Sequence, residues 1–111
     1  VEHACHYCVP AHTGIAKSMK VRDDLIEELR NDETLSDSKL NTLKETVLAV
    51  TRGRGNVDNA QLDAFYSAGY KHQQLLEIIL ILAQKVMSNY TNHLADTPVD
   101  EPFKKFDWSP K

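Results

Sequence analysis

Glycine and proline are scarce, four of each in 111 residues, which argues against a collagen-like, low-complexity or turn-rich all-β chain. Charge of one sign does not accumulate. Thirteen Lys and Arg stand against 16 Asp and Glu for a net charge of −3, so no basic face is available to a generic polyanion binder, and nucleic acid is not an expected partner. Long hydrophobic runs are missing too. The longest, Ile78–Ala83, has six residues, far below the roughly 20 that a membrane span requires, so no membrane partner is expected. No secretory leader is visible, and an opening at Val1 without methionine reads as a trimmed, processed or partial product. What remains is 41% hydrophobic and 26% charged, a soluble, globular, cytoplasm-like composition. A chain of this size buries about two thirds of its surface, enough for one core without metal or disulfide staples.

Hydrophobic spacing predicts an all-α fold of about five helices over residues 1–95. Pro10 is tolerated only in a first helical turn, which places a helix from about Cys8 to about Lys20. A second covers about Val21 to Asn31, with Asp23 and Asp24 early and Arg30 late, as the helix dipole prefers. Ser36 or Ser38 can cap a third, carrying Leu40, Leu43, Val47 and Val50 and stopped at Gly53–Asn56. Asp58 and Gln61 resemble a capping box opening a fourth, closed by Gly69. The fifth runs from about Lys71 to Leu94 with apolar residues on most of its circumference, from Leu75 to Met87. Such a helix must be surrounded, either by its own domain or by another subunit, and a small chain seldom encloses one completely. A homo-oligomer is therefore expected. In residues 96–111, Pro98, Pro102 and Pro110 predict an extended tail. Phe103, Phe106 and Trp108 would pin it to the bundle or to a neighbouring subunit.

Both cysteines fall in the first eight residues, as Cys5-His6-Tyr7-Cys8, with His12 four residues on. A disulfide scaffold would spread its cysteines to staple distant segments, whereas a lone CxxC reads as redox or metal chemistry. With the helix starting near Cys8, Cys8 and His12 share a face, and Cys5 sits one turn back within disulfide reach. A helix N-terminus favours thiolate over thiol and can lower a thiol pKa well below its ordinary ~8.5. His12 can hold and pass a proton near neutral pH. These parts suit peroxide reduction: Cys8 attacks the O–O bond and becomes a sulfenic acid, and Cys5 condenses with it to a disulfide. Two alternatives stand beside it. One is zinc on Cys5, Cys8 and His12 with His3 or His6, although structural zinc usually joins separate segments. The other is a pair of inert buried cysteines. His72 and His93 read as surface residues.

The stretch Cys5-His6-Tyr7-Cys8-Val9-Pro10-Ala11-His12-Thr13 resembles the redox motif of AhpD-like alkylhydroperoxidases in the carboxymuconolactone decarboxylase superfamily. Gln61–Phe65, Gly69-Tyr70, Leu75–Ile79, Asn89–Ala95 and Thr97–Asp100 extend the likeness over nearly the whole chain. The resemblance implies an AhpD-like helical bundle assembling into trimers or hexamers. It also implies a thiol peroxidase with Cys8 as peroxidatic cysteine, Cys5 as resolving cysteine and His12 as proton relay. A hydroperoxide would be the substrate and an external dithiol the electron donor, with no cofactor and no metal. Two features depart from the family pattern. Tyr7 stands where well-studied members have a histidine, and their relay glutamate lies upstream of the first cysteine, before Val1. Other superfamily activities remain open: a decarboxylase-like lyase, against which the cysteine pair argues, or a structural helical oligomer that holds metal.

Overall fold

Pro10 does stand in a first helical turn. In the computed structural model, which describes all residues Val1–Lys111, α1 spans Cys8–Ser18. It is followed by α2 (Asp23–Arg30), α3 (Ser38–Arg52), α4 (Asn59–Ser67) and α5 (His72–Ala95), then a 3₁₀ helix, Glu101–Phe106. There is no strand. The all-α expectation holds, and the helix ends fall within about two residues of those read from spacing.

Local chemistry explains where the ends differ. The N-cap of α3 is Asp37, whose Oδ1 accepts from Leu40 N–H at 3.0 Å, and neither Ser36 nor Ser38 takes that place. Asp58 precedes α4 but makes no side-chain cap bond. The expected capping box does not form, because Gln61 Nε2 donates instead to Thr46 Oγ1 at 2.8 Å. Gly53 ends α3 through close approach: a Cβ there would lie 2.2 Å from the Asn56 carbonyl oxygen. The tail is corrected as well. Residues 101–106 are not extended, because Pro102 near the start of a 3₁₀ turn lacks only an N–H that would have no partner there.

The chain divides into two compact units, Leu35–Lys85 and a second made of Val1–Thr34 with Val86–Lys111. In the first, α3 packs on α4 around Val50, Phe65 and Ile78, with Leu43, Val47, Leu75 and Leu82 against them. Tyr70 stacks on Phe65 with ring centroids 4.8 Å apart. In the second, α1 packs against α2 and against the 3₁₀ helix. Gly14 makes room there: a Cβ would meet Phe103 Cδ1 at 2.7 Å and Phe106 Cε2 at 3.2 Å. Arg30 closes the arrangement, donating to Thr13 Oγ1 (2.7 Å) and to the carbonyls of Phe106 (3.0 Å) and Asp107 (2.9 Å). Trp108 Nε1 returns a bond to the Arg30 carbonyl at 3.0 Å.

Candidate redox site

The site begins with a turn. Ala4 adopts φ +47, a left-handed value uncommon without glycine, and its N–H donates to the Val1 carbonyl at 2.7 Å. The turn swings Cys5 back over the start of α1, where Cys5 and Cys8 form a disulfide with Cα atoms 5.2 Å apart. Both residues are buried, at 2% and 7% exposure.

The two sulfurs have different surroundings. Cys5 Sγ accepts the Cys8 backbone N–H at 3.2 Å and so takes up one of the unpaired donors at the helix mouth. Cys8 Sγ is met from α5: Asn89 Nδ2 donates to it at 3.1 Å and Asn92 Nδ2 at 3.5 Å. Asn89 is itself buried, and its Oδ1 pairs with His3 Nδ1 at 2.9 Å. A helix-end N–H thus serves Cys5, and side-chain amides serve Cys8. Sequence reasoning assigned no role to Asn89 or Asn92. The one available signal was two asparagines at i and i+3 late in a helix they do not favour.

The residues between the cysteines reach the segment after α5. His6 Nε2 lies 3.0 Å from the Thr97 carbonyl and 3.8 Å from Asp96 Oδ1. Tyr7 donates its hydroxyl hydrogen to Asp100 Oδ2 at 2.7 Å. That accepting carboxylate holds the Tyr7 phenol above its ordinary pKa, with desolvation and the Asp100 charge adding in the same direction. His12 lies on α1 four residues after Cys8 and is exposed, while Cys5 and Cys8 are both buried. His72 and His93 are exposed on α5.

No three His, Cys, Asp or Glu side chains are grouped so as to hold a metal ion. No helix is long and apolar enough to cross a membrane. The sequence matches no family model and no curated protein. The functional reading therefore stands on the chemistry of the site.

Proposed function

We propose that this protein is a thiol-dependent peroxidase of the AhpD-like type, reducing hydroperoxides through a Cys5–Cys8 dithiol–disulfide cycle. The observation that carries the reading is the disulfide itself, closed across three residues at the start of α1. By the chain-entropy estimate, so small a loop contributes about 2 kcal/mol, against nearly 5 for a hundred-residue loop. A bond that staples no distant segments suits redox exchange better than scaffolding.

In the cycle, the Cys8 thiolate attacks the distal peroxide oxygen. The O–O bond breaks, Cys8 becomes a sulfenic acid, and the alkoxide leaves as an alcohol with a proton from His12. The Cys5 thiol displaces hydroxide from that sulfenic acid, giving the disulfide and water. An external dithiol returns both electrons and both protons, leaving as its own disulfide. Condensation with Cys5 removes the sulfenic acid before a second peroxide can oxidise it further.

The protein is further proposed to act as a homo-oligomer, a trimer or hexamer, joined through α5. Support comes from Leu76, Leu80, Met87 and Leu94, which lie along that helix with 67%, 70%, 72% and 91% of their surface exposed.

The test is thiol counting. Fully reduced protein treated with one equivalent of cumene hydroperoxide should lose two titratable thiols per chain and release one equivalent of the alcohol, without covalent dimers. Unchanged thiols, or a sulfinic acid on Cys8 with Cys5 still reduced, would refute the cycle.

A further inference from the structure

We propose that Asn89, held in place by His3, is a positioning residue for the redox couple, presenting its amide N–H to the Cys8 sulfur and stabilising the Cys8 thiolate once the disulfide is reduced. This rests on the reading of Cys5–Cys8 as a reversible couple.

The geometry sets the orientation of the amide. Asn89 Nδ2 is 3.1 Å from Cys8 Sγ, and Oδ1 is 2.9 Å from His3 Nδ1. With the amide nitrogen on sulfur, Oδ1 accepts from a His3 Nδ1–H. The reverse orientation would set an oxygen lone pair against an electron-rich sulfur. A buried amide fixed in this way is already aligned when charge develops on Cys8, so no reorganisation is required at that moment.

The contest between the two thiols then has a direction. Cys5 Sγ has one backbone N–H at 3.2 Å. Cys8 Sγ has two side-chain amides, with Asn92 the weaker at 3.5 Å. Hydrogen bonds to a charged acceptor are the stronger kind, so the negative charge settles on Cys8. The titratable neighbours are His3 behind Asn89, and His6 and Tyr7, which turn to Thr97 and Asp100, with Asp96 beside His6. His12 stands on α1 itself.

Thiolate stabilisation also acts on the equilibrium. Reduction by an external dithiol consumes the protein disulfide and yields the Cys8 thiolate, the Cys5 thiol, the donor's disulfide and one proton. Whatever stabilises that thiolate makes the couple more oxidising.

The experiment is pH-dependent alkylation of fully reduced protein with iodoacetamide, resolved by peptide mass, together with equilibration against dithiothreitol. In the unaltered chain Cys8 should react first and at lower pH than Cys5. Asn89→Ala should raise the Cys8 midpoint by about one pH unit and, above both midpoints, shift the dithiothreitol equilibrium about tenfold toward disulfide. Asn89→Asp, the same shape with a negative charge, should raise it further. Asn92→Ala should raise it less. His3→Ala leaves α5 intact and should move the midpoint in the same direction by freeing the amide. If Asn89→Ala does not fold, the other variants carry the test. A Cys8 midpoint unmoved in Asn89→Asp and His3→Ala, or Cys5 as the faster thiol in the unaltered chain, overturns the inference. None of these readouts uses peroxide. Shifted midpoints without peroxide turnover would sink the peroxidase reading alone, and turnover with unmoved midpoints would sink this inference alone.

Discussion

Small side-chain changes in the N-terminal arm and α1 have predictable consequences. Gly14→Ala improves helix propensity by up to about 1 kcal/mol. It also drives a methyl group into the Phe103 and Phe106 rings, and overpacking of this kind costs about 1–3 kcal/mol. Crowding wins, so urea unfolding should show a net loss of about 1 kcal/mol, and a stabilised variant would show that the 3₁₀ helix does not sit on α1 as described. Tyr7 offers a pH test. Its folded pKa is raised above the unfolded value, so the folded chain keeps the phenolic proton after the unfolded chain has lost it. The contribution is fully present below the unfolded value near 10 and disappears as pH rises through the higher folded value. Ultraviolet titration should show two late-ionising tyrosines, Tyr7 and Tyr70; the first vanishes in Tyr7→Phe and moves to lower pH in Asp100→Asn, while the second is unchanged by either.

At the scale of helices, two aspartates in similar sequence positions should behave differently. Asp37 caps α3 through its side chain, whereas Asp58 precedes α4 without such a bond. Asp37→Ala should therefore cost about 1 kcal/mol of unfolding free energy, and Asp58→Ala clearly less. Equal losses in chemical denaturation would mean that the cap geometry does not matter. The same comparison shows how far local sequence signals reach. Asp58 and Gln61 have the right spacing for a capping box, but spacing does not register that Thr46, buried 15 residues earlier, offers Gln61 a competing partner. Proline placement is similarly ambiguous: Pro10 lies in the first turn of an α-helix as its sequence position predicts, while Pro102, which with Pro98 and Pro110 predicts an extended tail, sits at the start of a 3₁₀ helix.

For the molecule as a whole, the exposed apolar residues of α5 are where the assembly proposal is tested. Leu76, Leu80, Ala83, Met87, Tyr90 and Leu94 recur at alternating spacings of four and three, the pattern of a helix seam. All six are exposed in the single chain. If that seam joins copies of the chain, Leu80→Glu or Met87→Glu should reduce the mass measured by light scattering at micromolar concentration, with helical circular dichroism retained. A monodisperse 12.6 kDa species for the unaltered protein would remove the assembly proposal.

The sequence by itself determined the helical class, the five α-helices and the cysteine pair at the mouth of the first, because all three depend on contacts within a few residues. Periodicity, capping residues and a three-residue cysteine spacing are local quantities. Only the tertiary structure decided what surrounds the disulfide. Asn89 and Asn92 approach Cys8 from 81 and 84 residues away, and His3 reaches Asn89 across 86. No pattern along the chain encodes these distances, because they follow from how α5 lies against the N-terminal arm. The tail is the same case. Its aromatic residues were legible as anchors, but that they settle on Gly14, and that Arg30 ties the last turn down, depends on which side chains packing brings together.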